Sequence, residues 1–147
     1  MKRKPLIVTP GNRNDALSVA GTNVTVLISD NDSESQQITL QSGQEGSGPP
    51  SHSHGWDESF FVIRGEVQFT CDGATTTCCA GTLVHVPAGT IHAFTYGLGG
   101  GEMLEVTGGA SNAVRAFTAL DREISPGSVD VSKIVQVAGE YGVTFHL

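Results

Sequence analysis

Cationic residues are scarce in this chain. Eight Lys and Arg stand against fifteen Asp and Glu, for a formal charge of −7. A phosphate-binding face needs grouped Lys and Arg, so nucleic acid is not an expected partner. The one basic stretch, Lys2-Arg3-Lys4, is followed only by Leu6-Ile7-Val8 before Thr9-Pro10-Gly11, an apolar run too short for a signal peptide or a membrane span. The expectation is a soluble, cytoplasmic protein without membrane contact. Cysteine is scarce too. Cys71, Cys78 and Cys79 are an odd number in a chain without an export signal, which argues against a disulfide framework. Adjacent residues of a strand face opposite ways, so Cys78 and Cys79 do not make a soft-metal site. Repeats and low-complexity linkers are absent.

What is present points to short strands. The 147 residues can bury one sizeable core, and nineteen glycines among many Thr, Val and Ser residues suit a mostly β domain rich in turns. Asn23 to Ser29 alternates Val24, Val26 and Ile28 with Asn23, Thr25 and Leu27. After a polar turn over 30–35, Gln36 to Ser42 places Ile38 and Leu40 on one face. A glycine-rich loop then ends in the rigid Pro49-Pro50. Asp72-Gly73 after Val67 to Cys71 reads as a hairpin turn. Near the end the period changes. Val131, Ile134, Val135, Ala138 and Tyr141 recur at helical spacing, with Asp130 as cap and Gly142 as stop, and Ser111 to Arg122 predicts a second short helix before Pro126-Gly127.

The chemistry concentrates at His52, His54, Glu58 and His92. In an extended strand His52 and His54 share one face, and Glu58, an even number of residues on, can join them; a helix would turn the two imidazoles well apart. His92 follows an apolar strand and a Pro87-Ala88-Gly89 turn and opens another strand, so an antiparallel pairing would bring it to the first cluster. Three imidazoles and a carboxylate would hold a divalent ion while leaving positions open for substrate, water or dioxygen. Glu58 has two candidate roles, as ligand and as catalytic base.

Gly46-x5-His52-x-His54-x3-Glu58-x6-Gly65 followed by Gly81-x5-Pro87-x-Gly89-x2-His92 resembles the paired motifs of the cupin superfamily, with nine residue types at the family's spacings. The resemblance implies an all-β fold, the cupin double-stranded β-helix: a jelly-roll barrel of two antiparallel sheets with a short C-terminal helix. Residues 1–147 would form a single cupin domain, with a core barrel over about 16–108 and a C-terminal extension over 109–147. Tyr96 departs from the second motif, which usually carries asparagine there. Longer stretches, Glu58 to Glu66, Val86 to Phe94, Met103 to Thr107 and Glu140 to Val143, are similar to small cupins of the quercetin 2,3-dioxygenase-like group. That likeness implies a dioxygenase acting on a flavonol-like enolic or phenolic molecule, with one divalent metal (Fe, Mn, Ni, Co or Zn) on His52, His54, Glu58 and His92 and with Glu58 as base. A non-redox cyclase, lyase or isomerase, and a cupin that binds a small molecule without catalysis, remain as alternatives.

Phe60, Val62, Phe94 and Tyr96 share parity with the ligands and are candidate pocket walls, with Trp56 at the mouth. Phe61 and Ile63 would face the other side. A strand apolar on both faces suggests covering by the barrel core within and by the terminal segments or a homodimer partner without. His85 is expected to be a non-ligand, and His146 a solvated or packing residue.

Overall fold

The computed structural model describes residues 3–128 and 130–147. The chain order is β1 (Leu17–Val19), β2 (Thr22–Ile28), β3 (Gln36–Gly43), β4 (His52–His54), β5 (Glu58–Cys71), β6 (Ala74–Cys79), β7 (Leu83–Val86), β8 (His92–Gly108), α1 (Ala113–Glu123), α2 (Val131–Glu140) and β9 (Val143–Phe145). The nine strands hydrogen-bond into one curled antiparallel sheet because two long strands, β5 and β8, run through both walls of the barrel. Their pairing extends from Glu58↔Thr107 to Cys71↔His92, with register shifts between Val62 and Arg64 and between Gly65 and Val67 that let the strands bend. This is the mostly β cupin-type barrel. The C-terminal extension holds two helices, in the two places where the sequence predicts them, and a further strand.

Two clusters make the core. Inside the barrel Phe60, Val62, Val67, Phe69, Phe94, Tyr96 and Met103 pack together, with Phe60, Phe69 and Phe94 in mutual contact at ring separations of 5.2–5.5 Å. Burying each such side chain contributes about 1.5–3 kcal/mol. The second cluster, Val19, Val24, Ala119, Leu120 and Val137, seals α1 and α2 against β1 and β2. Gln37 ties α1 to the barrel: its amide nitrogen donates to the carbonyls of Gly109 and Ser111, and its amide oxygen accepts from Val114 N. On the outer face, Phe61 and Ile63 are each 45% exposed and Leu83 65%. Phe61 and Leu83 are register partners and form an exposed apolar strip. No helix among the described residues is long and apolar enough to cross a membrane.

The polarity of β3 positions the site. Gln37, Thr39 and Gln41 alternate along it, a pattern that reads as a solvent face, yet all three are buried. They point inward, so β3 brings polar side chains to the barrel interior. The loop after β3 is drawn onto β8 by Gly46 N to Tyr96 O and Tyr96 N to Ser47 O, both 2.9 Å. Gly48 makes this approach possible, since its φ is +147° and a Cβ there would stand 2.0 Å from the Phe94 carbonyl oxygen. Gly48→Ala is therefore expected to force the loop off β8, at a cost of about 1–3 kcal/mol. Thermal unfolding followed by circular dichroism should show Tm lower by at least about 2 °C; an unchanged Tm would contradict this account of the loop.

Candidate metal centre

The donor set is assembled by strand pairing. His52 and His92 are direct register partners of the antiparallel β4 and β8, and Glu58 opens β5 next to them. One ligand atom from each of His52, His54, Glu58 and His92 lies within 4.8 Å of every other. His54, Glu58 and His92 are buried and His52 is half-buried. β4 is braced on its other edge by β9, through His52↔Phe145, Ser53↔Thr144 and His54↔Val143. The second motif's turn is fastened to the same segment by Gly89 N to His54 O at 2.9 Å and by Ala88 N to the Asp57 carboxylate at 2.8 Å.

Each imidazole is oriented by a backbone carbonyl two residues away. His52 Nδ1 meets Pro50 O at 2.9 Å, His54 Nδ1 meets Trp56 O at 2.9 Å, and His92 Nδ1 meets Thr90 O at 2.8 Å. A carbonyl can only accept, so each Nδ1 carries the hydrogen and each Nε2 directs its lone pair at the common centre. There His54 Nε2 and His92 Nε2 lie 2.5 and 2.7 Å from the same oxygen, Glu58 Oε2. At that distance a proton bridges each pair; a divalent metal, about 2.0–2.2 Å from each ligand atom, would take its place with the donors slightly further apart. The residues therefore fit a divalent metal held by three Nε2 atoms and one carboxylate oxygen.

The electrostatics follow from the same contacts. Burial alone would raise the Glu58 carboxyl, but hydrogen bonds with His54, His92 and Glu105 outweigh it and hold Glu58 well below the usual carboxylate range. Such a group is a strong ligand and a weak base. Burial likewise opposes protonation of His92, yet the hydrogen bond and charge of Glu58 raise it above 6.5. Burial, then the neighbouring His92, lowers His52 to about 4. Glu105 moves the other way: complete burial, then the Glu58 charge, push its carboxyl well above the ordinary value.

A cavity of about 70 Å³ opens on this set. His52, His54 and Glu58 form its metal-facing wall, and Trp56, Phe60 and Phe94 line it as the sequence predicts. The Trp56 ring stacks on His54 with centroids 4.3 Å apart and planes within 8°. Val62 and Tyr96 require correction, since neither lines the cavity and both are 0–1% exposed in the barrel core. Parity is right for each, but four residues along a strand is about 13 Å, which carries both past the cavity. Tyr96 packs edge-on against Phe94 at 5.6 Å and lies over Gly43, whose Cβ would sit 2.4 Å from its ring. His85 is exposed and bonded to Ser59 Oγ at 2.8 Å, outside the site. His146 meets Ser53 Oγ at 2.7 Å on the outward side of β4. The three cysteines are free thiols.

Further cavity residues lie outside the sequence-derived set. Glu105 and Gln41 supply polar surface, linked through Thr39: Thr39 Oγ1 donates to Glu105 at 2.9 Å and Gln41 donates to Thr39 at 3.2 Å. Ala116, Phe117 and Leu120 of α1 roof the cavity, and Phe145 of β9 closes a side. The signal for Glu105 was available, since Met103-x-Glu105-x-Thr107 alternates in phase with the buried face of β8. The roof had no comparable signal, because an apolar stripe on a helix does not say what it covers.

Residues 37–107, about half of the chain and the stretch that carries all four donors, match the family model described as Cupin domain. Solved structures share the architecture. The polyketide cyclase RemF from Streptomyces resistomycificus aligns with TM-score 0.64 and 20% identity over 71% of this chain and 80% of its own. An RmlC-like cupin from Shewanella frigidimarina aligns with TM-score 0.66 and 16% identity over 78% and 99%. A cupin superfamily protein from Desulfitobacterium hafniense aligns with TM-score 0.53 and 26% identity over 60% and 78%. No curated protein matches the sequence.

Metal uptake should depend on pH with a defined sign. His92 is shifted upward and His52 downward to about 4, so near pH 6 a metal must displace at least the His92 proton, and affinity should rise at least about tenfold per pH unit until His92 is neutral. Calorimetry at pH 6 in two buffers of different ionisation enthalpy should show at least about one proton released per ion; no release would overturn the assignment. His92→Ala should weaken metal binding by at least about 100-fold.

Proposed function

We propose that this protein is a metal-dependent oxidoreductase of the dioxygenase type, acting on a small enolic or phenolic molecule bound through oxygen to an ion held by His52, His54, Glu58 and His92. The observation that carries this reading is the placement of three members of an N3O donor set, His52, His54 and Glu58, on one wall of a cavity otherwise lined largely by apolar and aromatic side chains. A divalent ion at that wall supplies Lewis acidity to a bound hydroxyl or carbonyl and, where it is iron, manganese, nickel or cobalt, dioxygen chemistry. The chain's own residues do the rest. Trp56, Phe60 and Phe94 wall the metal-bound end of the molecule and exclude water from it. Glu58 stays ionised, which suits it to the ligand role. Glu105 lines the same cavity, its carboxyl pushed well above the ordinary value by burial and then by the Glu58 charge.

The same donor set takes zinc as readily as a redox metal, and the polyketide cyclase RemF has the same fold, so a non-redox cyclase, lyase or isomerase is the second reading. Protein loaded separately with iron, manganese, nickel, cobalt and zinc, offered flavonol and β-diketone substrates in an oxygen electrode, separates the two. The dioxygenase reading expects oxygen uptake matching substrate loss with at least one redox metal and none with zinc. Turnover by the zinc form under strict anaerobiosis would replace it with the non-redox reading.

A further inference from the structure

A second cavity, of about 380 Å³, lies between the β1–β2 turn and the α1–α2 corner. It shares two residues with the metal-facing cavity, Ala20 and Leu120, and the Pro49-Pro50 dipeptide divides between them, Pro49 lining the inner cavity and Pro50 the outer. Ala20 and Leu120 therefore stand between the two spaces, where a neck would join them.

The neck carries an unusual backbone. Ala20 and Gly21 form the two-residue turn between β1 and β2, with φ of +47° and +81°, and Val19 pairs directly with Thr22. Glycine or asparagine is favoured at the first of these positions, and a left-handed alanine costs about 1–2 kcal/mol. An alanine held there places a methyl group where glycine would leave a gap, between the two cavities. Size gives the neck a purpose. A cavity of 70 Å³ is far below the roughly 300–1,000 Å³ of ordinary small-molecule sites, whereas the outer one falls within that range. Among the described residues the outer lining has no ionisable side chain; it is built from Leu120, Ile124, Val131 and Ile134 with the hydroxyls of Ser18 and Ser125.

We infer that the two cavities form one bipartite site for an elongated, uncharged molecule, whose oxygen-bearing head reaches the metal through the Ala20–Leu120 neck while its largely apolar body lies in the outer cavity. This rests on the metal-dependent reading above and names the shape and charge of its substrate. A rigid, compact molecule lodged wholly beside the metal is the arrangement it excludes.

Three hydroxamates test it on cobalt-loaded protein, with Kd read from the visible cobalt spectrum: acetohydroxamate, octanohydroxamate and the monohydroxamate of octanedioic acid. The head is common to all; only length and terminal charge differ. Octanohydroxamate is expected to bind at least about 30-fold more tightly than acetohydroxamate, given about fourfold per buried methylene, and the carboxylate-ended probe is expected to lose most of that gain. Leu120→Trp should fill the neck and bring the ratio of the short-chain to the long-chain Kd to within about threefold of unity. Val131→Glu sets a charge in the outer cavity at a position 52% exposed, tolerant of substitution, and should lower the same ratio at least fivefold should Leu120→Trp fail to fold. Equal affinities for the short and long neutral probes in the native protein, or a ratio unmoved by both variants, would overturn the bipartite site while leaving the metal centre intact. Failure of acetohydroxamate to perturb the cobalt spectrum would overturn the metal-dependent reading and this inference with it.

Discussion

Everything at the metal centre depends on three short hydrogen bonds from imidazole Nδ1–H to backbone carbonyls, at Pro50, Trp56 and Thr90. A histidine side chain has two rotatable bonds and two tautomers, and a loose one is as apt to solvate itself as to face a common point. Each carbonyl removes that freedom. Because the acceptors belong to the main chain, two residues from the ring they hold, ring orientation follows from the path of the backbone. The surroundings secure that path: a proline pair ahead of His52, a bend after His54, and the turn ahead of His92 tied back to His54 and Asp57.

The barrel supplies the opposite of an ordinary core at one place. β3 turns Gln37, Thr39 and Gln41 inward, β8 adds Glu105 and Thr107, and β5 adds Glu58, all buried. Such polar groups are tolerated only when they are bonded, and they are divided by task. Gln37 and Thr107 secure the segment leading into α1, through Gly109, Ser111 and Val114. Thr39, Gln41 and Glu105 bond in a chain at the cavity wall. Aromatic packing among Phe60, Phe69 and Phe94 begins immediately beyond, so the polar region is bounded by a rigid apolar one.

Local pattern carried much of this into the sequence. Strand parity and the two motifs are enough to bring His52, His54, Glu58 and His92 together, and Asp72-Gly73 and Asp130 act where turn and cap chemistry place them. Parity does not measure distance, which is why Val62 and Tyr96 fall on the right face and too far along it. The inward polarity of β3 was illegible for a different reason: alternating Gln and Thr look the same whether they face water or a bonded interior, and only the tertiary pairing of β3 with β8 decides. The roof of α1 and the side wall of β9 are set by contacts across more than fifty residues, for which a single sequence holds no local signal.

The pairing of β9 with β4 gives the site an order in time. A growing chain emerges from its first residue onward, and the strand bearing His52 and His54 has one edge unpartnered until Val143 to Phe145 has been made. At ordinary elongation rates the interval between His92 and Phe145 is about 3 to 10 s, during which all four donors exist but the strand carrying two of them lacks its brace. An ion that arrives in this interval meets a loose cluster; one that arrives later meets a clasped one. The fold thus makes tight uptake an event that follows synthesis.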